Sequence, residues 1–351
     1  MRGIQALRWH GRHDVRLDEV NEPQRGDAGF ALIEVAYCGI CGSDLAEYTA
    51  GPVLIRPSPH PLSGQHPPLT LGHEFSGRVV DAADANGFEP GMRVTVDACW
   101  RCGSCEACQR GDYHLCRYGG SIGLHSDGAF APLVRVPTYT LVPVPAEVSD
   151  QQAALTEPFA VGFHALERGG LRPGDDVVVF GFGPIGAASA LVARAAGART
   201  HVVEVSPARR ARAGELGFPA LDGGDEELPR TVRRAVRGGG ADVVIESTGA
   251  AAVVPRAVEC AKRGGRIVIV GLTKTHAQVD PSRLTLFERT MTGSLGYRHD
   301  LPRVAALMEQ GTLDPSVIVD DVVPLSLAPQ TFGALAERRG EKIKVLVDVH
   351  A

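Results

Sequence analysis

The segment Val177-Val-Val-Phe-Gly-Phe-Gly-Pro-Ile-Gly186 constrains this chain more than any other stretch. Its apolar, β-branched opening suits a strand buried on both faces of a parallel sheet. Gly181, Gly183 and Gly186 close it at G-x-G-x-x-G spacing, with Pro184 and Ile185 between the last two, and a helical run from Ala187 to Ala196 follows. In such a turn the first glycine makes the bend, the second lets a pyrophosphate approach the backbone, and the third lets helix pack on strand. The helix N-terminus then offers free N–H groups and a positive dipole end to phosphate. Glycine makes up 42 of 351 residues, so the spacing alone is weak and its context decides. A second strand, Thr200 to Val205, carries Glu204 about 20 residues on, where a dinucleotide site wants a carboxylate for the adenosine ribose. A carboxylate there repels a 2′-phosphate, so Glu204 predicts NAD. Ser206, Arg209 and Arg210 follow. Arg209 is a candidate cofactor contact, and a solvated helix face is the plainer reading of both arginines.

Strand and helix patterns alternate on both sides of this turn. Thr156 to His164 starts a helix, with Glu157 at its mouth and Pro158 in its first turn. Ala208–Leu216 and Ala250–Lys262 read as helices, and 242–246 and 266–270 as strands. That is the doubly wound pattern of a dinucleotide-binding domain, expected over residues 151–291. Residues 1–150 read instead as short strands and turns. The last stretch, 292–351, breaks the alternation and is expected to complete that first, β-rich domain. It holds helices Leu301–Gln310 and Pro329–Arg338, and strands near Val322 and over Lys344–Val349. A net charge of −5 and the lack of a basic stripe exclude a nucleic-acid partner, and no apolar run is long enough to span a membrane. A cytoplasmic protein is expected, with its eight cysteines reduced.

Those cysteines carry the second signal. Cys102, Cys105, Cys108 and Cys116 follow C-x2-C-x2-C-x7-C, and four thiolates so close in sequence can wrap one tetrahedral Zn²⁺ with no open position. Cys41, His73 and Glu157 lie far apart in sequence, each in a turn. A thiolate, an imidazole and a carboxylate leave a fourth position open, the pattern of a catalytic zinc. Each also has an ordinary structural explanation, so the trio is undecided on spacing alone. Residues 50–70 hold six prolines and read as a long surface loop.

Taken together, Gly39-Ile-Cys-Gly-Ser-Asp44, Gly72-His-Glu74, the four-cysteine lobe, Glu157-Pro158 and the glycine turn resemble the zinc-dependent medium-chain alcohol and polyol dehydrogenases over nearly the whole chain. The stretches Gly51–Arg56, Pro59–Gly64, Leu71–Gly77 and Gly293–Tyr297 look most like the 2,3-butanediol dehydrogenases within that family. The resemblance implies a GroES-like, mostly-β catalytic domain beside a Rossmann coenzyme domain. It implies a catalytic zinc on Cys41, His73 and Glu157, with Glu74 beside it as an exchanging ligand or a support. It implies a structural zinc on the four cysteines, hence two per chain, and Ser43 as acceptor of the alcohol proton. The expected reaction is hydride transfer from a secondary alcohol to NAD in the cleft between domains, with 2,3-butanediol and acetoin as substrates. Sorbitol- and threonine-type dehydrogenases are the alternative, and a non-catalytic zinc-containing homologue is the other class. A homodimer or homotetramer is implied. One departure stands out: relatives have a histidine three residues after the serine, and here that position is Ala46. His60, His66 or the coenzyme ribose are the remaining carriers.

Overall fold

The computed structural model describes residues 3–25, 28–82, 87–337 and 342–351. It divides into two compact units, Met1–Glu157 with Leu301–Arg339 and Lys344–Ala351, and Pro158–Asp300 with Gly340–Ile343. The boundaries thus fall at Glu157 and Asp300 rather than at 150 and 291.

The first unit is mostly β, as a GroES-like domain is. Its main sheet has seven strands, ordered Leu141–Pro143, Arg93–Val96, Glu74–Ala82, Phe30–Gly39, Lys344–Asp348 and Val319–Pro324, with Leu133–Pro137 also paired to Phe30–Gly39. Alternate residues of Phe30–Gly39 (Ile33, Val35) join the core with Phe75, Val94, Phe130 and Val347, so burial of one face sets the register. That register is what positions the site. Gly39 lies opposite Glu74 on one side and Leu346 on the other. A helix, Gly42–Ala50, leaves directly from the end of Phe30–Gly39. The sequence reads Cys38–Asp44 as a turn. In the structure it is a strand end running into a helix, with Cys41 as N-cap and its N–H donating to the Asp44 carboxylate at 3.0 Å. The proline-rich loop is fastened at its start by Glu47, whose carboxylate accepts the backbone N–H groups of Val53, Leu54 and Ile55.

The second unit is the doubly wound half. Its six parallel strands run in the order Ala220–Asp222, Arg199–Glu204, Asp176–Phe180, Ala241–Glu246, Ala261–Ile269 and Thr290–Gly293. In chain order that is 3-2-1-4-5-6, with the reversal beside the strand that ends in the glycine turn, where this architecture binds dinucleotides. Val177, Val178, Val179, Val243, Val244 and Ile245 are fully buried, as the β-branched runs require. Helix Leu228–Ala235 has no counterpart in the sequence reading. The helix expected over Ala250–Lys262 is shorter, Val253–Cys260, because Ala261 leaves it to pair with Ala241 in the sheet. In the first unit the helix expected to end at Arg338 spans Ala328–Glu337, and Arg338 lies outside the described residues.

Candidate active site

In the first unit the ligand atoms of Cys41, His73 and Glu74 lie within 4.8 Å of one another. Cys41 comes from the helix N-cap, and His73 and Glu74 from the start of the paired strand. Ser43, in the first turn of the helix, has its Oγ 3.3 Å from His73 Nε2. Glu157 is not within that distance set, although its charge acts on His73. Sheet register brings Glu74 into this group by placing it opposite Gly39, whereas Glu157 approaches from a separate helix.

Two residues complete this cluster that spacing could not reveal. Asp44, with no exposure, sits with Oδ1 3.5 Å from His73 Nδ1. It also accepts the Cys41 N–H, so one carboxylate fixes the thiol's backbone and lies beside the ring. A carboxylate beside Nδ1 favours a proton on that nitrogen and Nε2 as the ligating one when a metal binds. Lys344, on a strand 300 residues later in the chain, is fully buried, ion-paired to Glu74 and donates to the Ile40 carbonyl at 3.0 Å. No local signal in the sequence marks it.

The electrostatics follow from burial. Burial pushes the Asp44 carboxyl up to about 6, against the pull of His73 and the Cys41 N–H. Burial alone would lower His73, but Asp44, Cys41 and Glu157 outweigh it and hold the ring well above its ordinary value. Burial and Glu74 raise the Cys41 thiol. Glu74 Oε1 is buried without a hydrogen-bond partner among the described residues. A thiol, an imidazole and a carboxylate oxygen lacking a hydrogen-bond partner are a donor set that fits one divalent cation.

The four cysteines also meet. Their Sγ atoms lie within 4.8 Å of one another, with pairs at 3.6, 3.9 and 4.0 Å. A Zn–S bond of about 2.3 Å puts tetrahedral corners about 3.8 Å apart, so the spacing fits a closed Cys₄ site. The backbone N–H groups of Cys102 and Cys105 point at sulfur and support thiolates. No cysteine is in a disulfide.

In the second unit Gly181 turns with φ +89, and a Cβ on Gly186 would meet the Gly181 carbonyl at 2.0 Å. Helix Pro184–Ala195 starts there with Gly183 as its N-cap and Pro184 and Ile185 in its first turn. Glu204 reaches back over the turn. Its carboxylate accepts the N–H groups of Phe182, Val205 and Ser206 at 2.7, 2.7 and 2.9 Å. Arg209 Nη1 lies 3.5 Å from where a Gly183 Cβ would stand. Arg210 instead binds the Glu204 and Val205 carbonyls and Asp222. His60 and His66 are not brought to Ser43: His60 packs on His125 and Trp100, and the exposed His66 turns to the Pro67 carbonyl.

Residues 27–146 match the alcohol dehydrogenase GroES-like domain, and residues 184–310 match the zinc-binding dehydrogenase family. The (R,R)-butanediol dehydrogenase of Bacillus subtilis (strain 168) is 36% identical over 98% of this chain and 99% of its own length. A crystal structure of 2R,3R-butanediol dehydrogenase from Bacillus subtilis superimposes with a TM-score of 0.92 at 35% identity, covering 99% of both chains. A putative zinc-binding dehydrogenase from Sinorhizobium meliloti 1021, solved bound to NADP, gives 0.87 at 30% identity over 99% of this chain and 100% of that one. With the glycine turn, the cysteine lobe and the Cys41–His73–Glu74 cluster in place, the chain belongs to the zinc-binding alcohol dehydrogenase family.

Proposed function

We propose that this dehydrogenase interconverts a vicinal diol and its α-hydroxyketone, 2,3-butanediol and acetoin, with NAD as hydride carrier. The observation that carries the chemistry is the buried Cys41–His73–Glu74 cluster with the Ser43 hydroxyl beside it. The substrate is carried over from the butanediol dehydrogenases that the chain is similar to along its length. In this reading the first unit is the catalytic domain and the second the coenzyme domain.

Cys41 and His73 would hold the catalytic zinc, with Glu157 or Glu74 as the carboxylate, and Cys102, Cys105, Cys108 and Cys116 the structural one. Bound there, a zinc ion supplies a Lewis acid that lowers the pKa of an alcohol. The chain's residues do the rest. Asp44 holds the His73 ring with Nε2 facing the cluster. Ser43 Oγ takes the alcohol proton. Lys344 holds Glu74 and neutralises it in a site where an unpaired carboxylate would be costly. Glu204 keeps a lone pair on Oε2 for a ribose hydroxyl and disfavours a 2′-phosphate, which supports NAD. The eight free thiols support a cytoplasmic place of work.

The test is kcat/KM across butanediol stereoisomers, acetoin, sorbitol and threonine, each with NAD and NADP. Highest values for butanediol and acetoin with NAD are expected. A preference for sorbitol or threonine would overturn the substrate, and a preference for NADP would overturn the coenzyme. Elemental analysis of protein purified without chelator should find two zinc ions per chain.

A further inference from the structure

The second unit holds a pocket that the dehydrogenase reaction does not use. It has a volume of about 440 Å³ and is lined by Arg233, Lys262, Arg263, Arg283, Arg289 and Phe287, with Glu259 as its one carboxylate. These residues begin or precede the strands Ala261–Ile269 and Thr290–Gly293, or end the helices Leu228–Ala235 and Val253–Cys260. The strands are parallel, so this is the N-terminal edge of the sheet, opposite the edge that carries the glycine turn.

Five cations in one pocket are unusual in a chain of net charge −5. Two of them are matched: Lys262 pairs with Asp242, and Arg283 lies 3.9 Å from Asp280. Arg233, Arg263 and Arg289 make no ion pair with a carboxylate among the described residues. The plain explanation is that cations gather at helix C-termini, but each end carries only about half a negative charge. Two such ends and Glu259 do not balance three guanidiniums. The crowding registers on Arg289: burial, joined by Arg233 and Arg283, holds it below its ordinary value despite Glu259.

The arginines are also held in place. Arg289 donates to the Lys262 and Ala261 carbonyls at 3.3 and 2.5 Å. Arg263 and Arg289 each lie 4.6 Å from the centroid of the Phe287 ring. Arg233 donates to the Glu259 carbonyl at 3.4 Å. Guanidiniums held in this way suit an anion with several oxygens, since the N–H groups that no carbonyl takes can each meet one of them. The Phe287 ring is already occupied by cations, which leaves no aromatic face here for a base.

We propose that this pocket is a second ligand site, for a compact oligophosphate recognised by its phosphates alone. Free pyrophosphate or triphosphate and the tail of a nucleoside triphosphate share this chemistry. Binding there is independent of the coenzyme, because the pocket lies at the other edge of the sheet.

Calorimetric titration of the zinc-loaded enzyme, saturated with its nicotinamide coenzyme, tests this with tripolyphosphate and ATP as probes. One site per chain is expected. Its affinity should fall as salt rises and drop about tenfold in Arg263→Gln, with a further loss in Arg233→Gln/Arg263→Gln. ATP should bind no tighter than tripolyphosphate. Thermal melts of both variants without ligand should match or exceed the parent, because like charges have been removed. No binding at millimolar probe, or binding that coenzyme abolishes and the variants leave unchanged, would overturn the proposal. ATP binding far tighter than tripolyphosphate would overturn recognition by phosphates alone.

Discussion

Ser43 can be separated from its neighbours by one substitution. It ligates nothing in the proposed site, so Ser43→Ala should keep its zinc and its coenzyme affinity. It should still lose ~10² to 10⁴ in kcat, the usual worth of a positioned proton acceptor. In the proposed path Ala46 stands where a relaying histidine would be, and His60 is held against His125 and Trp100. Imidazole buffer and Ala46→His should therefore speed turnover at low pH, while His60→Ala should leave the low-pH profile alone. Low-pH loss in His60→Ala, recovered with imidazole, would restore it as the carrier. His125 has a different consequence. Burial, with the charges of His60 and Arg56, lowers its pKa to about 4. As pH falls below the ordinary value of about 6.5, the unfolded chain takes a proton that the folded site refuses until about 4, so stability is lost across that window. His125 is half-buried, so the loss should be about 1 to 2 kcal/mol, and His125→Gln should flatten the fall in Tm between pH 7 and 5. Lys344→Met leaves Glu74 buried and unpaired, and should cost about 3 to 5 kcal/mol; adding Glu74→Gln should recover much of it.

At the scale of elements, strand Thr290–Gly293 is the outer strand of the parallel sheet, and Met291 and Leu295 beside it are exposed. An open edge of this kind can pair with a second copy about a two-fold axis. A homodimer or homotetramer is expected by light scattering at micromolar concentration, and Met291→Lys should shift it toward monomer. A monomeric parent would remove the idea. Elements were legible in the sequence where burial on both faces left continuous β-branched runs, as at Val177–Phe180 and Val243–Ile245. Helix Leu228–Ala235 was not, because five of its eight residues are Pro, Thr or Arg around only two buried side chains, Leu228 and Val232. The site divides the same way. Cys41 and His73 were undecided on spacing alone and drew notice through the motifs they share with the family, and the structure brings them together. Lys344 owes its role to strand pairing across the sheet, which no local pattern encodes, and the approach of Asp44 to His73 depends on the same packing. Glu74 and Glu157 are both visible beside motif residues, and only the structure separates them, with Glu74 placed opposite Gly39 and Glu157 heading a helix.

For the whole molecule, the two proposed metal sites should respond differently to a chelator. The Cys41–His73–Glu74 site keeps an open position and the four-cysteine site does not. Activity should thus disappear with the first zinc, before unfolding begins, and elemental analysis along the time course should show one ion left at that point. Simultaneous loss of both ions and of the fold would contradict two distinct sites. The chain path carries one more consequence. Strand Lys344–Asp348 lies inside the first unit's sheet, between Phe30–Gly39 and Val319–Pro324, and delivers Lys344 to Glu74. During synthesis, residues 158–300 emerge as one continuous block that can fold while translation proceeds. The first unit must instead wait, its sheet gapped and its Glu74 unmatched, until residue 348 has left the ribosome, so the coenzyme half takes shape first and the catalytic half is finished last.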